Sequence, residues 1–302
     1  MHDIIVVGGG PAAVTAAIYS ARRGLDVLIV AKDVGGQAGL SGDIQNWTGF
    51  KSISGAEAAE KLFEHLNDYP QIAQEIGEKI ISVEKTGKKF TVQTEDGKKF
   101  ESNAVIVATG SAPKKINVPG EKEFDNRGVT YCATCDGPLF AKKDVAVIGG
   151  ANSALDAALM LSKICNKVFL INKNAFFKGE KTLFEQVSAR KNVEFAYNAK
   201  TIRIVGGKMA AGVEVEVNGV KKTISVPGIF VNIGRIPATD FVKGVELDEY
   251  KHIKTDRLAQ TNIPGLFAAG DCTNTPDAQI VVAAGEGCVA SLSAFKYLNS
   301  LK

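Results

Sequence analysis

The pattern of apolar and polar positions predicts the same local structure in two separate stretches of the chain. Residues 3–30 read DIIVVGGGPAAVTAAIYSARRGLDVLIV: an apolar strand, a glycine turn, an amphipathic helix and a second apolar strand. Residues 144–171 read DVAVIGGANSALDAALMLSKICNKVFLI, with the same order and spacing. Each stretch has the length of a βαβ unit, and such crossovers build parallel sheets. The pattern therefore predicts an α/β protein with two doubly wound, Rossmann-type nucleotide-binding domains.

The segments between and after these units predict how the two domains are arranged. Residues 55–70 carry apolar side chains at helical spacing, which indicates a surface helix. Residues 78–109 and 193–233 are typical of short strands separated by turns, and the chain ends in a long alanine-rich helix. Because no low-complexity linker separates these parts, the second domain is predicted to be inserted into the first. The expected domains are residues 1–113 with 245–302, and residues 114–244.

Composition narrows the class of protein. The 302 residues are 45% hydrophobic and 23% charged, which excludes a disordered or fibrous chain. A net charge of +3, from 36 basic and 33 acidic residues, gives no reason to expect nucleic acid or a membrane as partner. Met1-His2-Asp3 lead directly into the first strand, without a basic segment, a cleavage site or a membrane-spanning apolar run. We therefore expect a cytoplasmic protein.

The five cysteines point to redox chemistry. Their number is odd and only Cys132 and Cys135 are closely spaced, which disfavours a secreted disulfide framework. In a reducing cytoplasm a single Cys-x-x-Cys is typical of a redox-active pair. A zinc site is the weaker interpretation, because it would need a second pair or nearby histidines. Cys165, Cys272 and Cys288 belong to no motif and are interpreted as packing residues.

The residues around this pair suggest how it reacts. In a Cys-x-x-Cys motif one thiol can attack a substrate while the other resolves the mixed disulfide or contacts a cofactor. Asp136 follows Cys135 directly and could give and take the proton of the thiol. The alternative is two buried cysteines without chemistry. The adjoining carboxylate and the Gly137-Pro138 turn favour the redox interpretation.

The first glycine turn has the pattern of a dinucleotide site. Gly8 permits a tight turn, Gly10 allows the backbone to approach a pyrophosphate, and Ala13 allows the helix to pack closely on the strand. The acidic residue expected at the end of the second strand is missing, and Asp33 lies one position late. In its full strand–turn–helix–strand context the motif predicts nucleotide binding.

The second glycine turn, at residues 149–154, departs from this pattern. Ala151 occupies the position of the second glycine, where its methyl group should push the backbone away from a phosphate. Two interpretations remain open at this point. The unit either binds a dinucleotide or retains the fold with weakened binding.

Taken together, the motifs resemble those of the low-molecular-weight thioredoxin reductases and of the reductase half of the alkyl hydroperoxide reductase flavoprotein. The resemblance covers essentially the whole chain. It rests on motifs in the family's order: GGGPAA at 8–13, GGQ at 35–37, NW at 46–47, ATG at 108–110, CATCDGP at 132–138, the second glycine turn at 149–154, GD at 270–271 and AQI at 278–280.

The resemblance implies an FAD-dependent disulfide reductase. Electrons would pass through FAD to the Cys132–Cys135 disulfide, with Cys135 nearer the flavin, Cys132 attacking a thioredoxin-type protein and Asp136 as acid–base. It further implies a homodimer and movement of the inserted domain during turnover. The FAD-binding residues that it implies are Gly8, Gly10, Ala13, Gln37, Asn46, Thr109, Gly110, Gly270, Asp271, Ala278, Gln279 and Ile280.

The electron donor is left open by the sequence. NADPH-dependent members end the second βαβ unit in His-Arg-Arg-x-x-x-Arg, where this chain has Asn172, Lys173, Asn174 and Lys178. The lysines keep a charge but cannot grip a phosphate as a guanidinium does. The donor can therefore be NADPH, NADH or reduced ferredoxin, and a non-catalytic flavin redox sensor is a less favoured alternative. The candidate nicotinamide-nucleotide residues are Gly149, Ala151, Ser153, Ala154, Lys173 and Lys178.

The beginning of the chain bears on the partner. Peroxide-reducing relatives carry fused thioredoxin-like modules, whereas residue 4 here already lies in the first predicted strand. We therefore expect a separate thioredoxin-type protein as substrate rather than direct reduction of a peroxiredoxin.

Overall fold

The structure is a computed structural model that describes residues 1–41 and 43–301. Its strands are His2–Val7 (β1), Val27–Ala31 (β2), Asp43–Ile44 (β3), Ile53–Ser54 (β4), Ile72–Ile76 (β5), Ile80–Thr86 (β6), Lys89–Thr94 (β7), Lys99–Val107 (β8), Ser111–Pro113 (β9), Val129–Thr130 (β10), Asp144–Ile148 (β11), Lys167–Ile171 (β12), Val193–Ala196 (β13), Ala199–Gly206 (β14), Ala210–Val217 (β15), Val220–Ser225 (β16), Gly228–Val231 (β17), Arg235–Pro237 (β18) and Leu266–Ala268 (β19). The α-helices are Pro11–Arg22 (α1), Gly36–Gly39 (α2), Gly55–Asn67 (α3), Ala133–Asp136 (α4), Asn152–Leu161 (α5), Lys181–Ser188 (α6) and Ile280–Ser300 (α7), with a 3₁₀ turn at Gly137–Phe140.

The chain divides into two compact units. The first comprises Met1–Ala112 and Ile236–Lys302, and the second comprises Pro113–Arg235. Residues 236–244 thus lie in the first unit, whereas the sequence analysis placed them in the inserted domain. The physical reason is packing: Val242 is buried in the first unit's core, and the N–H of Val83 donates to the carbonyl of Phe241 at 2.9 Å.

The first unit is built on a mixed seven-stranded sheet. Strands β5, β2, β1 and β8 run parallel in that order, β19 pairs parallel with β8, and β7 and β6 extend the sheet antiparallel. The register places Val7 beside Val107, and Val107 beside Ala268. The carboxyl ends of β1, β8 and β19 therefore form one edge, where ligands of doubly wound sheets bind.

Helix α7 packs closely on α1 in this unit. A Cβ at Gly287 would overlap the carbonyl oxygen of Ala12, and the buried hydroxyls of Ser20 and Ser291 lie 2.8 Å apart. By length and composition, α7 could cross a membrane, and it is the one such helix among the residues described. This is weak evidence for a span, because the core helix of a soluble protein passes the same test.

The predicted surface helix is confirmed as α3. The Ser54 hydroxyl caps it by accepting the N–H of Glu57 at 3.2 Å. Ala58, Leu62 and Leu66 are its buried apolar side chains, as their spacing predicts.

The second unit contains a five-stranded parallel sheet in the order β10-β17-β11-β12-β13 and an antiparallel sheet of β14, β15 and β16. Its parallel strands are almost entirely apolar, as strands covered on both faces must be. With two parallel βαβ sheets in place, the predicted α/β fold class is confirmed.

Candidate active site

The redox pair lies in the second unit, at the carboxyl end of β10. Cys132 and Cys135 form a disulfide with their Cα atoms 5.3 Å apart. The short helix α4 brings them together, and the Cys132 sulfur caps it by accepting the N–H of Cys135 at 3.2 Å. Both cysteines are partly exposed, so a partner molecule can reach the sulfurs.

Asp136 lies at the end of the same helix turn and is partly buried. Burial raises the pKa of its carboxyl above the ordinary value, and a hydrogen bond from the Thr130 hydroxyl opposes that rise. The N–H of Cys132 donates to the same Thr130 oxygen at 3.3 Å. A carboxyl with a raised pKa is suited to exchange protons with a thiol near neutral pH.

Thr130 had not been identified from the sequence. It is buried at the end of β10, two residues before Cys132 and six before Asp136. A threonine after an apolar residue in a strand carries no signal of function by itself. Only the fold of the Cys132–Asp136 segment back over β10 brings its hydroxyl to the carboxylate.

Close packing against α5 fixes the position of this segment. A Cβ at Gly137 would come within 2.6 Å of the terminal methyl of Met160 and 3.1 Å of Leu161. Glycine therefore allows the turn after Asp136 to lie directly on an apolar surface. That surface excludes water from one side of the site and accounts for the burial of the carboxyl.

A second buried carboxylate, Glu121, supports the residue before Cys132. Its oxygens accept the backbone N–H groups of Ile116 and Asn117 at 2.8 and 2.6 Å, and the hydroxyl of Tyr131 lies 3.2 Å away. The Lys115 ammonium lies 3.7 Å from the centre of the Tyr131 ring. Burial, followed by the charges of Glu121 and Asp125, raises the pKa of Tyr131 far above its usual range, so the phenol remains a donor.

The remaining cysteines are separate from this site in sequence and environment. Cys165 and Cys272 are buried free thiols, and burial raises the pKa of each to about 11. Both therefore stay protonated near neutral pH, which makes them poor nucleophiles. Cys288 is free and partly exposed on α7.

The first glycine turn joins β1 to α1 in the first unit. Gly8 has φ +125°, and a Cβ there would overlap the Ala108 carbonyl oxygen. Gly10 is different: its backbone is extended, and a Cβ on it would meet no protein atom within 4 Å. Ala13 is fully buried beneath the turn. Gly8 is thus required by the fold, whereas Gly10 leaves space beside the backbone.

Several other predicted FAD residues lie at this sheet edge. Thr109 and Gly110 follow β8, and the Thr109 hydroxyl donates to the carbonyl of Ala238 at 2.6 Å. Gly270 and Asp271 follow β19, and the Gly270 N–H donates to Glu286 at 2.7 Å. Glu286, on α7, was missed by sequence reasoning because it lies in an otherwise apolar helix without a motif.

Long-range contacts unite another predicted pair. The amide of Asn46 donates to the side-chain oxygen of Gln279 at 3.0 Å, although 233 residues separate them. Gln279 precedes α7 directly, with Ala278 before it and Ile280 as the first helical residue. Gln37 is exposed on the short helix α2, and its carbonyl accepts the hydroxyl of Ser41 at 3.2 Å.

The residues at this edge fit an FAD pyrophosphate. The N-cap of α1 is glycine, and no side chain caps the helix, so its first N–H groups and positive end are available to an anion. The open space beside Gly10 lets a phosphate come close to the backbone. The first turn thus has the features of a phosphate-binding turn.

The second glycine turn has nearly the same backbone. Ala151 is the N-cap of α5 with φ −127° and ψ −173°, compared with −79° and −177° at Gly10. The alanine is exposed, so the fold accommodates its methyl group without distortion. Ala154 is fully buried where Ala13 is in the first unit, and Ser153 is exposed. The substitution therefore affects only the space in which a ligand would lie.

The loop after β12 folds back on this turn. Asn172 is buried, its amide donates to the Phe176 carbonyl at 2.8 Å, and its oxygen accepts the N–H of Asn174 at 3.1 Å. The N–H of Lys178 donates to the carbonyl of Gly150 at 2.7 Å. Asn172 stands where a ribose-binding residue is expected, yet its polar atoms hold the loop together.

Lys173 and Lys178, in contrast, are exposed. Within the described ranges neither ammonium forms an ion pair with an acidic side chain. The edge of β12 therefore carries two free positive charges and no guanidinium, as the sequence indicates. Two lysines can attract a phosphate but cannot orient it bidentately.

Comparisons with known proteins agree with this arrangement. A sequence profile of the family described as pyridine nucleotide-disulphide oxidoreductase matches residues 2–287. The alkyl hydroperoxide reductase flavoprotein of Staphylococcus aureus strain MRSA252 is 41% identical over 300 residues, which are 98% of this chain. Those residues are 59% of the S. aureus protein, so the chain spans less than two thirds of that relative.

Solved structures show the same likeness. The thioredoxin reductase from Streptococcus pyogenes MGAS5005 is 34% identical, with a TM-score of 0.93 and 99% of both chains covered. The thioredoxin reductase of T. acidophilum is 37% identical, with a TM-score of 0.67, and the match covers 100% of this chain and 99% of that one. The relationship expected from the sequence motifs is confirmed.

Proposed function

Because the chain belongs to the pyridine nucleotide-disulphide oxidoreductase family, we propose that it reduces the disulfide of a thioredoxin-type protein. The family is one of oxidoreductases that bind FAD and use NAD(P)H, and this chain is a flavin disulfide oxidoreductase of the thioredoxin reductase type. The observation that carries the proposal is the accessible Cys132–Cys135 disulfide, with a carboxyl of raised pKa one residue beyond it.

The chemistry follows from the roles of the two sulfurs. In the reduced protein, the Cys132 sulfur attacks one sulfur of the substrate disulfide, forming a mixed disulfide and releasing the first substrate thiol. The Cys135 sulfur then attacks Cys132, which restores the Cys132–Cys135 bond and releases the second thiol. Two electrons pass to the substrate. Asp136 accepts each attacking thiol's proton and returns it to the leaving sulfur.

The first unit would hold the cofactor. FAD, when bound, supplies the two-electron chemistry that renews the dithiol. We assign its pyrophosphate to the turn at Gly8 and Gly10 and the amino end of α1. Thr109 and Asp271 belong to the same sheet edge and complete the proposed site.

The donor, partner and assembly are further parts of the proposal. The methyl group of Ala151 and the absence of an arginine after β12 favour weak use of NADPH, so NADH or reduced ferredoxin is the second candidate donor. The exposed disulfide favours a small protein with its own Cys-x-x-Cys as the electron acceptor. We propose a homodimer in the cytoplasm, as is typical of the thioredoxin reductases.

Trapping the mixed disulfide tests the function. A Cys135→Ser protein keeps the attacking sulfur but cannot resolve the product, so it should accumulate a covalent complex with an oxidised thioredoxin. Non-reducing electrophoresis and mass spectrometry of the linked peptides measure the complex and its attachment at Cys132.

Matched variants serve as controls. Cys132→Ser should form no complex, and Cys165→Ser, which changes a buried cysteine, should behave as the parent protein does. If Cys132→Ser and Cys135→Ser both reduce thioredoxin at the parent rate, the disulfide has no role in turnover and the proposal is wrong.

A further inference from the structure

The contacts of Thr130 connect the two reacting groups of the site. Its hydroxyl donates to a carboxylate oxygen of Asp136, and its oxygen accepts the N–H of Cys132 at 3.3 Å. Thr130 is only 6% exposed and lies in β10, paired with Phe230 of β17. A rigid strand therefore holds one oxygen against both the proton-transfer group and the backbone of the attacking cysteine.

We infer that Thr130 is a positioning residue, whose hydroxyl orients the Asp136 carboxylate toward the redox cysteines and sets the pH range over which it transfers protons. This inference rests on the proposed function, in which Asp136 serves both sulfurs. Thr130 itself touches no substrate atom; it acts through Asp136.

The surroundings of Asp136 leave few other groups able to perform this role. Cys132 and Cys135 lie on its own helix turn and are disulfide-bonded. From the neighbouring helix, the side chains that approach this turn at Gly137 are those of Met160, Leu161 and Ile164, all apolar. Asp156, the acidic residue of α5, is exposed. Among the described residues, burial and the Thr130 hydroxyl are the two causes that shift the pKa of Asp136, and no charged side chain contributes.

The direction of the effect follows from the bond. A hydroxyl that donates to a carboxylate stabilises its charged form, so removing the hydroxyl favours the protonated form. A hydrogen bond to a charged group is strong enough to move a pKa by about one pH unit or more. Thr130→Val keeps the shape and the strand preference of threonine while it removes the hydroxyl. Thr130→Ser returns the hydroxyl and removes only a methyl group.

The experiment uses reduced holoprotein and bis(2-hydroxyethyl) disulfide, whose leaving thiol needs a proton. The rate of exchange is measured against pH, and Asp136→Asn identifies the limb of the profile that depends on the carboxyl. Infrared difference spectra of parent and Asp136→Asn proteins follow the ionisation of the carboxyl independently of activity. We expect Thr130→Val to move both midpoints upward by about one pH unit, and Thr130→Ser to restore them.

Thr201→Val is the matched control. Thr201 is also buried in the second unit, at 7% exposure, but its hydroxyl has no partner within the described ranges. The same chemical change there should leave both midpoints unchanged.

The outcomes separate the inference from the function beneath it. Unchanged midpoints in a folded Thr130→Val protein, or a shift that serine does not reverse, would overturn the role of Thr130. Thr130→Ala repeats the test if the valine variant does not fold, and failure of both to fold makes the hydroxyl structural and also overturns it. If Asp136→Asn keeps the parent profile, the acid–base role in the proposed function is wrong, and the inference is lost with it.

Discussion

The two βαβ units of this protein share a backbone and differ where a ligand would lie. Gly10 and Ala151 each begin a helix in extended conformation, without a side-chain cap. Beside Gly10 a Cβ would meet nothing in the protein, and Ala151 shows that such a position accommodates a methyl group. The fold therefore does not require glycine at this position. A glycine here is explained by a ligand rather than by packing.

The ends of the second strands differ in a related way. Asp33 is exposed after β2, whereas Asn172 is buried after β12 and uses both ends of its amide to hold the following loop. A position that could recognise a ribose serves local structure in the second unit. The comparison teaches that a unit can lose its recognition residues and still keep the sheet and helix that formed the site.

The largest expected effect comes from a side chain in the open space of the first unit. Gly10→Val should purify folded but without flavin, because the protein tolerates the side chain while the pyrophosphate does not. The ratio of flavin to protein and the far-ultraviolet circular dichroism measure the two properties. Ala151→Val, the same position in the second unit, should keep its flavin. A folded, fully yellow Gly10→Val protein would show that the first turn does not bind FAD.

A gain of function in the second unit should be smaller. Ala151→Gly with Asn174→Arg clears the space beside the backbone and adds a guanidinium near the two exposed lysines. A charge-assisted hydrogen bond of about 1.5–3 kcal/mol corresponds to roughly 10- to 150-fold in affinity. We therefore expect reduction by NADPH to saturate at a concentration lower by about that factor, measured by anaerobic stopped-flow with NADPH and NADH.

The parent protein is the control for this variant. It should be reduced slowly by NADPH, with little preference over NADH, because neither ribose determinant is present. Rapid reduction of the parent by micromolar NADPH would contradict the comparison, since the two lysines would then be sufficient.

The smallest expected effect concerns the middle glycine of each turn. A Cβ at Gly9 would overlap the backbone oxygen of Asp33, whereas a Cβ at Gly150 would lie 2.5 Å from the side-chain oxygen of Asn172. Backbone cannot move aside but a side chain can, so Gly9→Ala should destabilise by about 1–2 kcal/mol more than Gly150→Ala. Urea unfolding of both flavin-free proteins measures the difference. Equal losses would show that the Asn172 amide is held as firmly as a backbone.

The sequence alone predicted the elements of both units and the redox pair. Strand and helix periods, glycine turns and the Cys132-x-x-Cys135 spacing are properties of neighbouring residues, so they can be recognised without coordinates. The family motifs then assembled these parts into a fold of the right class. The position of the second domain boundary was less accurate, because Val242 joins the first unit through packing that no local pattern records.

Contacts between distant residues were decided only by the tertiary structure. Asn46 meets Gln279, Glu121 supports Tyr131, and the buried Asn172 is committed to its own loop. The link from Thr130 to Asp136 belongs with these, since a hydroxyl in a short strand gains its role only when α4 folds back over β10. The sequence determined which groups can react, because reactivity belongs to residue types and their spacing. Their hydrogen bonds and burial, which tune that reactivity, depend on neighbours that only the folded chain brings together.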